Sequence, residues 1–190
     1  MRRIPPVRRA RDYHIYDESG RRYLDFYQDG GRAVLGHRPP NVAKTLKNVL
    51  AIAAGIADGL GFGANARAAL ITRGLAEITR LGVAMGGRPE TFAGLAGLGD
   101  LVTTCFSPIG RNRSAGQEFG RGKRLDEVTA ATRSVIEGIA TTRSVLALAR
   151  RANVEMPITQ AMTAILGGRI APEEALKMLM TRQLKVETQL

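Results

Sequence analysis

The chain contains no tryptophan, one cysteine and two histidines among its 190 residues. The single cysteine, Cys105, can form neither an intrachain disulfide nor a cysteine metal cluster, and no metal site is expected. Doing without disulfides suits a reducing compartment, and a cytoplasmic protein is expected. No apolar run approaches the roughly 20 residues that span a bilayer. The N-terminus is arginine-rich (Arg2, Arg3, Arg8, Arg9, Arg11), but no apolar stretch follows as in a secretion signal. Neither a membrane span nor an export signal is expected.

What is present describes a folded, basic protein. Hydrophobic residues make up 44% and charged residues 24%, a balance that excludes wholesale disorder and leaves room for one medium domain with an extension. The net charge of +11 attracts anions, either phosphorylated metabolites or nucleic acid. Residues 1–46 carry an excess of +5 and residues 47–190 an excess of +6, so charge density is higher in the short segment. No nucleic-acid motif accompanies it, and a solvated arginine tail is the simpler reading.

Composition also shifts along the chain. All four tyrosines (Tyr13, Tyr16, Tyr23, Tyr27) and both histidines (His14, His37) lie before residue 40. Tyr13-His-Ile-Tyr-Asp and Tyr23-Leu-Asp-Phe-Tyr flank a glycine turn and predict a small β-hairpin, which needs something to pack on. After Lys47 the texture is helical. An apolar run from Asn48 to Ala57 is stopped by the glycines of Asp58-Gly-Leu-Gly-Phe-Gly. From Ala64 to about Met85 a stripe of Ile71, Leu75, Ile78 and Leu81 predicts an amphipathic helix with Arg73, Glu77 and Arg80 largely off it. Further helices are predicted near 111–120, 124–131, 137–151, 157–166 and 172–181, with Pro157 and Pro172 at favourable first positions. The fold class is therefore mainly α, a helical bundle with a short hairpin-like N-terminal extension.

One stretch concentrates polar chemistry: Gly94-Leu-Ala-Gly-Leu-Gly-Asp-Leu-Val-Thr-Thr-Cys, followed by Gly110-Arg-Asn-Arg. Its glycines allow close backbone approach to a ligand, Asp100 can orient a hydroxyl or ammonium group, and Arg111 can grip phosphate oxygens in a bidentate fork. Asn112 adds an amide donor. The bland alternative is a helical corner, with Asp100 a cap and Arg111 on a solvated face.

The same stretch closely resembles the signature region of bacterial NAD(P)-dependent glycerol-3-phosphate dehydrogenases. The resemblance extends through Lys47-Asn-Val-Leu-Ala-Ile-Ala-Ala-Gly-Ile-Ala-Asp-Gly-Leu, Asn65-Ala-Arg-Ala-Ala-Leu-Ile, Val135-Ile-Glu-Gly and Val154-Glu-Met-Pro-Ile, in order, from about residue 46 to the end. It implies the all-helical C-terminal domain of an enzyme interconverting sn-glycerol 3-phosphate and dihydroxyacetone phosphate, a step toward glycerophospholipids. It makes Lys47 the proton acceptor for the C2 hydroxyl, a role open to a lysine only in its neutral form. It places Asp100, Thr104, Gly110, Arg111 and Asn112 around the substrate, and Arg111, Val135 and Glu137 against NAD or NADP. Gly110 stands where bacterial members commonly carry serine, leaving its backbone N–H as the donor there. The residues before Lys47, Asn41-Val-Ala-Lys-Thr, depart from the family's Gly-Gly.

The Gly-x-Gly-x-x-Gly unit that receives a dinucleotide pyrophosphate is missing, and Gly59-Leu-Gly-Phe-Gly follows a helical run and reads as a loop. Residues 1–45, through Tyr16-Asp-Glu-Ser-Gly-Arg-Arg-Tyr-Leu-Asp-Phe and Leu35-Gly-His-Arg-Pro-Pro-Asn-Val, are similar to the start of class III pyridoxal-phosphate aminotransferases. The cofactor lysine of that family would lie far downstream, so no transaminase chemistry is implied and His37 receives no catalytic role. The expected organisation is an extension over 1–45 and a dehydrogenase-type domain over 46–190, from a chimeric or truncated frame. Expected partners are a small phosphorylated metabolite and a second copy or a separate nucleotide-binding domain. The alternative reading is a non-catalytic module binding a phosphometabolite.

Overall fold

The computed structural model describes residues 7–11, 14–24, 40–132 and 134–181. His37, Arg2, Arg3 and most of the aminotransferase-like stretch at 35–42 lie outside the described residues. The predicted hairpin is present as β2 (His14–Asp17) and β3 (Arg22–Leu24), antiparallel with Ile15 opposite Tyr23. Gly20 turns between them at φ +81°, a conformation that favours glycine. A third strand the sequence reading did not foresee, β1 (Val7–Arg11), pairs antiparallel with β2, giving the order β1-β2-β3. Its arginine-rich sequence Val-Arg-Arg-Ala-Arg carries no alternation signal, so only pairing reveals it.

The rest is helical. α1 (Pro40–Gly59) begins earlier than the apolar run at Asn48 and passes without a break through the composition change near residue 45. Ala43 and Leu46, from that earlier part, are buried in the core. α2 (Ala64–Ala84) and a short α3 (Pro89–Ala93) lead to a π-helical turn at Leu95–Gly99, and α4 (Asp100–Phe106) follows directly. Then come α5 (Arg111–Gly120), α6 (Leu125–Ala130), α7 (Glu137–Arg151), α8 (Pro157–Leu166) and α9 (Pro172–Thr181). Four of these five match the predicted bounds, because prolines or capping positions mark their starts. Gly59 ends α1 and Gly61 turns at φ +80°, so the Gly59-Leu-Gly-Phe-Gly segment is a loop, as expected of glycines that follow a helical run. Among the described residues no single helix is long and apolar enough to cross a membrane.

α1 is the central element and lies against α2, α4, α5, α7 and α8. Leu46, Val49, Leu50, Ile52 and Ala54 are almost wholly excluded from solvent. Against α5 the contact is backbone on backbone. Gly55 and Gly59 of α1 face Gly116 and Gly120 of α5, and a Cβ on Gly116 would overlap the Ile52 carbonyl oxygen and stand 2.9 Å from the Gly55 Cα. This closeness fixes α5, and with it the start of that helix, relative to α1.

Two details of the core depart from the sequence reading or extend it. Glu77, read as lying off the apolar stripe of α2, is 2% exposed, while Leu75 is only partly buried. Its carboxylate accepts hydrogen bonds from Ile158 N (2.5 Å), Thr159 N (3.3 Å) and Thr159 Oγ1 (3.2 Å), so α2 caps the N-terminus of α8. Cys105 is 1% exposed, and burial pushes its thiol up to about 12 against a small opposing pull from Arg113. Native protein at pH 8 is therefore expected to resist iodoacetamide and to react at Cys105 only once unfolded in denaturant. Equal labelling rates in the two states would show that α4 does not pack as described.

Candidate functional site

α1 presents Lys47 and Asn48 side by side, and each reaches a different neighbour. The Lys47 ammonium forms an ion pair with the Asp100 carboxylate; the lysine side chain is 17% exposed and the aspartate 39%. Asp100 is the first residue of α4, and the π-helical turn delivers it there, with Gly97 N and Gly99 N both directed at the Gly94 carbonyl (3.1 and 3.4 Å). Such turns interrupt regular helices and are frequent at functional sites. The motif's glycines do not all serve a ligand: Gly97 is buried against the Phe92 backbone, where a Cβ would overlap. One turn into α4, Thr104 Oγ1 donates to the Asp100 carbonyl at 2.7 Å, which leaves the hydroxyl oxygen as an acceptor.

The second half is the N-terminus of α5. Its first turn holds no acidic residue, so its unpaired N–H groups and helix dipole favour an anion. Arg111 and Asn112 occupy that turn. Arg111 Nη2 lies 3.5 Å from Glu137 Oε1, both side chains more than half exposed, so this pair adds little to stability and can be exchanged for a ligand. The other Glu137 oxygen accepts from Asn48 Nδ2 at 3.1 Å. Asn112 Oδ1 accepts from Gly138 N at 2.9 Å, which fixes the amide orientation and turns its NH2 outward as a donor. Gly138 is needed there, since a Cβ would lie 2.7 Å from the Asn48 carbonyl oxygen and 3.0 Å from Asn112 Oδ1.

The Lys47–Asp100 pair, the Asn48–Glu137–Arg111 set and the Asn112–Gly138 bond are thus brought together through neighbouring residues of α1, α5 and α7. Gly110 is the N-cap of α5, and its N–H donates to the Ser107 carbonyl at 3.3 Å rather than standing free. Val135 is 72% exposed just before α7, beside a cleft of about 400 Å³ also lined by Thr132, Ile139 and Arg143. Asn48 escaped the sequence reading as a separate site residue, although it sits in the quoted motif; its link to Glu137 spans 89 positions. The second arginine of Arg-Asn-Arg behaves unlike the first: Arg113 turns inward to Asp58, with Nε at 2.8 Å and Nη2 at 2.6 Å from Oδ2. Among the described residues no group of three or more His, Cys, Asp or Glu could hold a metal.

The family model described as NAD-dependent glycerol-3-phosphate dehydrogenase C-terminus matches residues 40–177. A glycerol-3-phosphate dehydrogenase [NAD(P)+] of Citrifermentans bemidjiense is 58% identical over 142 residues, covering 75% of this chain and 42% of that protein. One from Salinibacter ruber is 58% identical over 146 residues, 77% of this chain and 43% of that protein. The chain spans less than half the length of these curated relatives. The crystal structure of glycerol-3-phosphate dehydrogenase from Coxiella burnetii superposes with a TM-score of 0.73 at 47% identity, covering 75% of this chain and 44% of that one. The Plasmodium falciparum glycerol-3-phosphate dehydrogenase structure, at 22% identity and a TM-score of 0.68 over 79% of this chain and 44% of that one, shares the fold. A bundle of this architecture, with a family match that starts where α1 starts, identifies the chain: it belongs to the NAD-dependent glycerol-3-phosphate dehydrogenase C-terminal family.

Proposed function

We propose that the helical part of this chain is the substrate-binding and proton-handling half of an NAD(P)-dependent oxidoreductase that interconverts sn-glycerol 3-phosphate and dihydroxyacetone phosphate. The observation that carries the reading is the Lys47–Asp100 pair brought together with Arg111 and Asn112 at a helix N-terminus. A lysine, a carboxylate and an anion cradle are what a short phosphorylated alcohol requires. In the direction that forms the alcohol, the Lys47 ammonium held by Asp100 gives its proton to the C2 oxygen; in the reverse direction the neutral amine so formed takes it back from the C2 hydroxyl, while Asp100 orients that nitrogen and the neighbouring glycerol hydroxyl. Arg111 gives up Glu137 for the phosphate, and the Asn112 NH2 with the α5 amides completes the grip. Thr104 offers an acceptor at the edge, and Gly110 shapes the turn.

The dinucleotide, when bound, supplies the acceptor for the C2 hydride. The fit of these residues to it is partial. The exposed Arg111–Glu137 pair, with exposed Val135 two residues before Glu137, would hold one edge of it, but the described residues include no parallel strand, glycine turn and helix to cradle a pyrophosphate. We place that cradle in a separate nucleotide-binding unit, with a second copy of the chain as a further partner. We also propose that the boundary expected at 45/46 falls instead at the start of α1, supported by the burial of Ala43, and that the protein is cytoplasmic.

Glycerol 3-phosphate and dihydroxyacetone phosphate at millimolar concentration are expected to raise the melting temperature of the 190-residue protein, because they bind only the folded state. Arg111→Ala should remove most of that rise, and glycerol without phosphate should produce none. An unchanged melting temperature with both phosphorylated ligands would end this reading.

A further inference from the structure

We propose that Asp58 is a positioning residue for the phosphate grip, acting through Arg113 on the start of α5; this rests on the reading of Arg111 and Asn112 as phosphate ligands. Asp58 lies in the last turn of α1 with its side chain 11% exposed, three helical turns beyond Lys47 and so roughly 16 Å along the axis. At that distance it touches no substrate held at Lys47. Both Nε and Nη2 of Arg113 converge on Asp58 Oδ2, at 2.8 and 2.6 Å, and Arg67 Nη1 lies 3.2 Å from Oδ1. One carboxylate therefore holds two guanidiniums, each on a different helix.

The geometry shows what this clamp controls. Arg113 is 12% exposed and immediately follows Arg111 and Asn112, so its anchorage sets the rotation of the first turn of α5. Its remaining arm, Nη1, donates to the Ser107 carbonyl at 3.3 Å, tying down the loop that leads from α4 to Gly110. Arg67 in turn lies 5.1 Å over the ring of Phe106, the last residue of α4. The Asp58 carboxylate thus joins the end of α4, the connecting loop and the start of α5 to the helix that carries Lys47. It also withholds Arg113 from the anion site, so that Arg111 is the guanidinium of the Arg-Asn-Arg motif left facing a ligand. Neutralising Asp58 loosens the first turn of α5 and releases a second, wrongly placed cation toward it.

A buried ion pair that merely supports the fold would change stability without changing affinity. The test therefore compares the two in the full chain, using melting temperature for stability and 31P line broadening of glycerol 3-phosphate for affinity, at a temperature where circular dichroism shows each variant folded. Asp58→Asn is expected to weaken binding about tenfold or more, because small misplacements of oriented groups are expensive. Arg67→Gln removes the α2 arm yet leaves Arg113 on Asp58, and should hold affinity within about twofold of the parent even as its melting temperature falls. If Asp58→Asn does not fold, Arg113→Lys keeps the charge, loses the fork and the Ser107 contact, and should show the same tenfold weakening. Unchanged affinity in the folded Asp58 or Arg113 variant overturns the proposal, as does an Arg67→Gln loss equal to theirs. Failure of the parent chain itself to broaden the 31P signal would instead overturn the assignment of Arg111 and Asn112.

Discussion

Gly116→Ala is expected to destabilise the protein by about 3 kcal/mol, toward the upper end of what overpacking costs in a core. The added methyl group would overlap the Ile52 carbonyl oxygen and stand 2.9 Å from the Ile52 carbonyl carbon and the Gly55 Cα. All of these are backbone atoms in the middle of the central helix, so no side-chain rotation can relieve the contact and α1 and α5 must separate. Alanine's better helix propensity returns at most about 1 kcal/mol. For a chain of this size the net effect corresponds to roughly 10 °C in melting temperature. Gly55→Ala on the facing helix should behave alike, since its Cβ would meet the Arg113 carbonyl. Gly63 has no atom near its would-be Cβ, so Gly63→Ala is expected to stay within about 1 kcal/mol of the parent. Thermal melts of the three variants decide the matter; a Gly116→Ala protein as stable as the Gly63 variant would mean the two helices do not meet backbone to backbone.

The same contrast explains what the sequence could and could not disclose. α7, α8 and α9 were legible because their signals are local: Glu137 opens α7 and Arg150 and Arg151 close it, while Pro157 and Pro172 start the next two. α1 began earlier than its apolar run because Ala43 and Leu46 enter the core through tertiary contact that a composition count does not register. Asp100, Arg111 and Asn112 stood out because they share one glycine-rich stretch. Asp58 did not, since its partners Arg67 and Arg113 lie on other helices and it reads in sequence as the end of a helix before a glycine loop. The paired glycines at 55, 59, 116 and 120 are likewise ambiguous: each can be read as a weak spot in a helix, and only the facing pair shows that they permit contact. Strand β1 and the π-helical turn before Asp100 carry no propensity signature at all.

Glu77 is the strongest case of a residue misread from its own helix, and its burial makes stability depend on pH. The Ile158 and Thr159 amides, the Thr159 hydroxyl and nearby Arg80 all favour the ionised carboxylate, yet exclusion from water outweighs them and raises the group from 4.5 to about 7. The folded protein therefore holds a proton that the unfolded chain has released between those two values, so stability is highest below about 4.5, falls as pH rises, and levels off above about 7. The loss attributable to this one carboxyl is about 3 kcal/mol. Other carboxylates contribute their own pH dependence, and the difference between parent and Glu77→Gln isolates this one, because glutamine keeps a carbonyl oxygen for the Ile158 N–H but does not ionise. Urea unfolding midpoints measured from pH 5 to pH 8 should show the parent losing ground steadily to Glu77→Gln. A gap that stays constant, or that closes as pH rises, would mean that the capping amides of α8 prevail over burial and that Glu77 is a carboxylate throughout.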